Sequence, residues 1–162
     1  MEADEQRVTH VPPGEGKKLW VADELVTFVV SGDATGGAYA LTDSTVPPLG
    51  EAPPHIHHRE VEAFLVLEGA LEIVVGEETF EASAGSFVHL PTGVPHSYRN
   101  VGTTPARFLT LMVPAGLEKF FEEVGKPGED PSSPPPFGEA DLRRLLAAAP
   151  EYGVEILPPQ EQ

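Results

Sequence analysis

Between residues 19 and 113 the sequence consists of short apolar runs that end at glycine or proline. The clearest runs are LVTFVV (25–30), VEAFLVL (61–67), ALEIVV (70–75) and ARFLTLMV (106–113). Runs of about five residues that recur roughly every ten residues are typical of strands in an antiparallel sandwich or barrel. A turn is predicted for SGDATGG (31–37) and a proline-rich loop for PPLGEAPP (47–54). No helical periodicity precedes residue 115, so the pattern predicts an all-β fold for most of the chain.

The pattern changes after residue 115, where two short helices are predicted. The first, in GLEKFFEEVG (116–125), has one apolar face: Leu117, Phe120, Phe121 and Val124. The second, in EADLRRLLAAAP (139–150), ends at Pro150 and places three leucines on one side: Leu142, Leu145 and Leu146. We expect these helices to cap one end or side of the β region; a dimer contact through their apolar faces is the alternative. YGVEILPP (152–159) is either a last edge strand or an extended tail.

These patterns divide the 162 residues into three segments. Residues 1–16 form a polar N-terminal arm, and residues 17–114 form the β-barrel. Residues 115–162 form a helical extension, in which residues 126–138 are a proline-rich connector without periodicity. The length suits one domain with a proper core.

Composition restricts the partners and the metal ligands. The formal net charge of −16 disfavours nucleic acid and anionic lipid, which both need a basic surface. No apolar run approaches the roughly 20 residues of a membrane span, and the acidic start MEADEQ does not resemble a targeting peptide, so we expect a cytoplasmic protein. The 18 prolines and the lack of cysteine are typical of thermophiles. Without cysteine, any metal must be held by imidazole and carboxylate groups.

Three of the six histidines lie within HIHHREVE (55–62). Such a cluster suits a solvated surface edge, a proton-transfer site or a metal site. In a strand His55 and His57 share one face and can chelate a cation, whereas His58 faces the other way. Glu62 has the wrong parity for that face unless the chain bends near residues 59–60. Glu60 is expected on the outside, where it could pair with Arg59, and is the alternative carboxylate ligand.

Two motifs connect this cluster to a distant histidine. The first reads His55-x-His57-x4-Glu62-x6-Gly69, and the second, in GSFVHLPTGVPHSYRN (85–100), has the order G-x5-P-x-G-x2-H-x3-N with His96 as its histidine. Together they resemble the paired signatures of the cupin superfamily over about residues 40–113. Gly50 stands one residue nearer His55 than is usual in that family.

The resemblance implies a double-stranded β-helix, also called a jelly-roll or cupin barrel, here with two short C-terminal helices. It implies one divalent transition metal (Fe, Mn, Ni, Cu or Zn) held by His55, His57, Glu62 and His96. The flanking sequences are similar to the small single-domain cupins that include quercetin 2,3-dioxygenase-like proteins. That similarity implies oxidative cleavage of a small hydroxylated or enolic substrate, with Glu62 as both ligand and catalytic base, and a homodimer.

Two other functions are compatible with the same motifs: a non-catalytic small-molecule binding or sensing cupin, and a sugar isomerase or epimerase. The isomerase would need polar or basic groups in its pocket, for which the nearby residues are His89, Tyr98, Arg99 and Arg107. We expect His58 to be an exposed neighbour and Asn100 to fasten a turn. The barrel lining is expected among eight apolar or aromatic residues: Phe64, Val66, Leu71, Ile73, Phe87, Tyr98, Phe108 and Leu111.

Overall fold

A computed structural model describes residues 7–158 of the chain. The first six residues of the predicted arm and residues 159–162 lie outside this range. The elements in chain order are β1 (Lys18–Val21), β2 (Glu24–Val30), α1 (Gly32–Thr35), β3 (Ala40–Val46), β4 (Glu51–His57), β5 (Val61–Glu68), β6 (Ala70–Val75), β7 (Glu78–Ser83), β8 (Phe87–Leu90), β9 (His96–Arg99), β10 (Ala106–Val113), α2 (Leu117–Val124), β11 (Lys126–Pro127), α3 (Glu139–Ala148) and β12 (Val154–Ile156).

The strands form two antiparallel sheets that face each other across one core. The larger sheet has the order β11-β1-β2-β3-β10-β5-β8, and the smaller has the order β12-β4-β9-β6-β7. Alternate residues of β5 and β10 are buried, as expected for strands with one inward face. The all-β jelly-roll prediction is therefore confirmed.

The chain crosses from the smaller to the larger sheet between His57 and Val61. The predicted bend near residues 59–60 is confirmed, and it separates β4 from β5. After the bend Glu62, Phe64 and Val66 are buried on the inner face of the larger sheet. Because of the bend, the Glu62 side chain points into the barrel interior, toward the two histidines that precede it on the other sheet.

Strand β4 begins earlier than the sequence predicted, because a proline-rich loop was expected through residue 54. Pro53 and Pro54 lie inside the strand, where the pairing with β9 shifts register between Ala52 and His55. Proline cannot donate a ladder hydrogen bond, and a bulge is one of the few places where a strand tolerates it.

The C-terminal segment packs on one side of the barrel, as predicted. The α2 residues Leu117 and Phe120 are buried against Met112 and Ala40. Of the three predicted α3 leucines only Leu145 packs against this cluster, and the prediction that Leu142 and Leu146 share its face is wrong, since both are exposed. YGVEILPP contains an edge strand, β12, which pairs with β4.

Two smaller elements were not predicted. The turn cluster SGDATGG contains the one-turn helix α1, and the two-residue strand β11 within the expected connector pairs with β1. None of the helices in residues 7–158 has the length and apolarity needed to cross a bilayer.

Candidate metal centre and cavity

Three histidines from two neighbouring strands converge inside the barrel. His55 and His57 lie on β4, and His96 at the start of β9 is the cross-strand partner of His55. One ring nitrogen from each lies within 4.8 Å of the others. The ring centroids of His55 and His96 are 4.3 Å apart, and those of His57 and His96 are 5.2 Å apart. The two sequence motifs therefore meet in space.

The Glu62 carboxylate faces this group from the opposite sheet. Its Oε2 atom lies 3.3 Å from Nε2 of His57 and 3.3 Å from Nε2 of His96. Burial opposes ionisation of Glu62, but the neighbouring His57 and His96 outweigh it and lower its pKa to about 2. An ionised carboxylate and three imidazoles thus share one buried space.

The protonation of the histidines also suits a cation. Burial, with His96 and His57 nearby, lowers the pKa of His55 to about 3, and burial lowers the pKa of His57 as well. The Nδ1–H group of His55 donates to the carbonyl oxygen of Pro53 at 2.6 Å, which leaves Nε2 with a free lone pair. A backbone acceptor on the distal nitrogen is a common way to orient a metal-ligating histidine.

Several buried nitrogens of the group are also without hydrogen-bond partners in residues 7–158. They are Nδ1 of His57 and both ring nitrogens of His96. Buried polar atoms in folded proteins are rarely left unpaired, and coordination to a metal ion satisfies an imidazole nitrogen in place of a hydrogen bond. The donor set of neutral imidazoles and one carboxylate fits a divalent transition metal.

The other members of HIHHREVE lie elsewhere. Nε2 of the exposed His58 contacts Oε2 of Glu155 on β12 at 2.8 Å. Glu60 was expected on the outside, and that prediction is wrong: the residue is 3% exposed, and its Oε2 has no hydrogen-bond partner among the described residues. Burial and the Glu62 charge raise the pKa of Glu60 to about 7.

A cavity of about 280 Å³ borders His55, His57 and Glu62. The barrel contributes Phe64 and Tyr98, whose rings meet edge to face at 5.6 Å, together with a set of polar residues: Asp23, Glu24, Thr42, Ser44, Glu51 and Thr110. The C-terminal segment contributes six apolar residues: Phe120, Phe121, Phe137, Leu145, Val154 and Ile156. The cavity thus has a barrel wall that carries the polar groups and a C-terminal wall without any.

Most of the residues expected to line the barrel do not reach this cavity. Val66, Leu71, Ile73 and Phe108 are buried in the core, and only Phe64 and Tyr98 border the cavity. The prediction is wrong for Phe87 and Leu111, which lie on the outer face of the larger sheet, 67% and 37% exposed.

The three other polar residues considered for the pocket have different positions. His89 is exposed on β8, Arg99 contacts Glu51 at 3.8 Å, and Arg107 is paired with Asp43 on the outer face. Asn100 fastens a turn as expected, since its side chain donates to the carbonyl oxygens of Val46 and Thr104 and accepts from Gly102.

The sequence reasoning missed Glu24 as a residue of the site. Tyr98 Oη donates to Glu24 Oε2 at 2.8 Å, and burial raises the pKa of Glu24 to about 7. The available signal was a carboxylate at the start of an apolar run, ELVTFVV, which equally fits a solvated strand end.

Comparison with known proteins agrees with the fold and the motifs. The family model described as the cupin domain matches residues 42–113. Quercetin 2,3-dioxygenase of Bacillus subtilis is 29% identical over 116 residues, which are 72% of this chain and 34% of that protein. The chain therefore spans about a third of the length of this relative.

Solved structures show the same fold. A predicted oxalate decarboxylase of Thermotoga maritima is 20% identical with a TM-score of 0.61, and the match covers 65% of this chain and 99% of that one. The polyketide cyclase RemF of Streptomyces resistomycificus is 24% identical with a TM-score of 0.60, and the match covers 66% and 80%. The match to the cupin-domain model, together with the paired motifs and the two facing sheets, identifies residues 42–113 as a cupin domain.

Proposed function

We propose that this protein is a metal-dependent dioxygenase that cleaves a small hydroxylated or enolic, aromatic substrate with O₂. The main support is that His55, His57 and Glu62 line the cavity, while His96 completes the same convergent group behind them. The similarity to quercetin 2,3-dioxygenase supports the reaction class.

The metal ligands in this proposal are His55, His57, His96 and Glu62. A divalent metal bound there supplies Lewis acidity to a substrate oxygen and a site for redox chemistry with dioxygen. Four protein ligands leave coordination positions for small molecules. Fe, Mn, Ni, Cu and Zn all suit this donor set.

Glu62 has a second role in the proposal, as the base. With its pKa lowered to about 2, the carboxylate is ionised at neutral pH and can accept the proton of a substrate hydroxyl. Because Oε2 already lies between two histidines, the incoming proton stays within the same buried group. The six apolar residues of the C-terminal wall offer water no hydrogen-bonding side chain on that side of the cavity.

The decisive experiment combines metal analysis with oxygen uptake. Purified protein is analysed for bound metal, reloaded with each candidate metal, and assayed for oxygen consumption with flavonols, 1,3-diketones and catechols. We expect uptake that depends on both the metal and the substrate. If the metal-loaded protein consumes no oxygen with any of these compounds, the dioxygenase proposal is wrong.

A non-catalytic binding cupin is the second candidate, because the apolar C-terminal wall would retain a ligand whether or not it reacts. That function predicts tight binding without oxygen uptake. The sugar isomerase receives no comparable support, since the described residues that line the cavity include no lysine or arginine.

A further inference from the structure

A polar group on the barrel wall is separate from the histidines and Glu62. Glu24, at the first position of β2, accepts a 2.8 Å hydrogen bond from Tyr98 Oη. A hydrogen bond with the Ser44 hydroxyl acts on the same carboxylate. Tyr98 is 7% exposed and Ser44 2%, so the two partners are fixed by the core. Because all three residues line the cavity, a held carboxyl group is presented to whatever occupies it.

The cavity lining contains several acidic side chains and, among residues 7–158, no lysine or arginine. Four carboxylic residues contribute to it: Asp23, Glu24, Glu51 and Glu62. Arg99 lies outside the lining but contacts Glu51 at 3.8 Å. One cation held by the histidines would offset only part of the remaining charge. Anions such as dicarboxylates and sugar phosphates are usually bound by arginine or lysine. The lining therefore opposes anionic substrates and accommodates uncharged ones.

The rest of the lining fits a planar ring with hydroxyl groups. Five aromatic side chains border the cavity: Phe64, Tyr98, Phe120, Phe121 and Phe137. Aromatic side chains bind planar rings by stacking and edge contacts. The volume of about 280 Å³ is at the small end of ligand pockets, which suits a ligand of few rings.

We propose that Glu24, held by Tyr98, is a substrate-binding residue that hydrogen-bonds a hydroxyl group of an uncharged hydroxylated aromatic substrate and, with Asp23 and Glu51, excludes anionic analogues. This inference rests on the proposed function, because it assumes that the substrate occupies the cavity beside the histidines. It adds a second point of attachment, which would fix the orientation of the ring relative to Glu62.

The test uses two ligands of nearly equal shape, 4-methylcatechol and 3,4-dihydroxybenzoate, which differ in a methyl group against a carboxylate. Their binding to the metal-loaded protein is measured by calorimetry at pH 7 without oxygen, so that no turnover occurs. We expect 4-methylcatechol to bind at least about tenfold more tightly, because the carboxylate of the benzoate is repelled by the acidic side chains of the lining. Equal affinities, or tighter binding of the benzoate, would overturn the inference.

Variants of Glu24 then test the residue itself. Glu24→Ala should weaken 4-methylcatechol binding by about tenfold, the effect of losing one hydrogen bond to a charged group. Glu24→Gln keeps the shape and should reduce the preference over the benzoate by about threefold or more. Glu72→Gln, at an exposed position of β6, is the matched control and should change neither value.

The outcomes separate the two proposals. If Glu24→Ala does not fold, as judged by thermal unfolding, the ligand preference of Glu24→Gln decides. An unchanged preference in Glu24→Gln, or less than a twofold loss of affinity in a folded Glu24→Ala protein, refutes the role of Glu24. If the wild type shows the ligand preference but consumes no oxygen, the dioxygenase proposal fails and the role of Glu24 stands.

Discussion

The two walls of the cavity differ in chemistry and in origin. The barrel wall carries every polar lining residue, among them His55, His57 and Glu62, on strands or adjacent turns of the two sheets. The C-terminal wall comes from α2, the connector, α3 and β12 and contributes only apolar side chains. The barrel strands thus carry the side chains that can bind a metal or a proton. The C-terminal segment contributes the apolar surface that shapes the cavity.

This difference has a physical basis. Hydrogen-bonded strands fix side chains to within the precision that metal ligands need, whereas a helix packed through its apolar face can shift without breaking a ladder. Changes in the barrel wall should therefore alter metal binding and proton chemistry. Changes in the helices of the C-terminal wall should alter ligand affinity alone, whereas β12 is paired with β4 beside His55 and His57 and belongs mechanically to the smaller sheet.

The largest effect is expected for the substitution His96→Ala. It removes one of three convergent imidazoles, so the variant should lose its bound metal as purified, whereas His58→Ala should retain it because His58 is exposed and contacts Glu155. Elemental analysis of both variants measures this directly. Stoichiometric metal in His96→Ala would break the assignment of metal binding to the barrel wall.

The two buried glutamates give the next largest difference. Glu62→Gln should lower metal affinity on the order of 100-fold, because it replaces an ionised carboxylate that lies between two ligand histidines. Glu60→Gln should change the affinity less than about threefold, since Glu62 already supplies the carboxylate. Chelator competition provides both values. A larger effect at Glu60 would make Glu60 the carboxylate ligand instead.

A smaller effect concerns pH and the titratable groups that only the barrel wall contains. Burial, with Glu62 and Asp23 nearby, raises the pKa of Glu24 in the folded protein to about 7, above its usual 4.5. The folded state therefore holds the proton over this interval, and its contribution to the free energy of unfolding falls as pH rises from 4.5 to 7. At about 1.4 kcal/mol per pKa unit, Glu24 accounts for at most about 2 kcal/mol between pH 5 and pH 7.

Urea unfolding of chelator-treated protein at pH 5 and pH 7 checks this. Glu60 has the same sign, because its pKa is also raised to about 7, whereas the lowered pKas of His55 and His57 act in the opposite direction. The contribution of Glu24 is therefore the difference between the wild-type and Glu24→Gln profiles, and the wild type should lose up to about 2 kcal/mol more than the variant between pH 5 and pH 7. Two profiles with the same pH dependence would contradict the prediction.

The barrel and the convergence of its candidate metal ligands were predictable because their signals are local or fixed in spacing. Turn glycines and prolines indicate where strands end. The two motifs contain His55, His57, Glu62 and His96 at fixed spacings, so these residues can be found without knowing how the strands pair. The bend before Glu62 followed from parity alone. These features depend on neighbours in sequence, which a single chain displays.

Other features depend on neighbours in space. Phe87 and Val88 are both apolar, so a period of two cannot decide which one faces inward, and Phe87 faces out. Glu60 looked like a surface residue but is covered where the chain changes sheets. Pro53 and Pro54 read as a loop because their bulge exists only against β9. The hydrogen bond between Tyr98 and Glu24 joins residues 74 positions apart, and no sequence pattern around either residue predicts it.

The smallest effect tests the C-terminal wall with two leucines of the same helix. Leu145 lines the cavity, whereas its neighbour Leu146 is 45% exposed and does not. Leu145→Ala should weaken the binding of 4-methylcatechol by about fivefold, because part of one apolar side chain no longer covers the ligand, and Leu146→Ala by less than about twofold. Both should keep the metal content of the wild type. Loss of metal in Leu145→Ala would show that the two walls are not separable, since a helix that contributes no ligand would then control the metal.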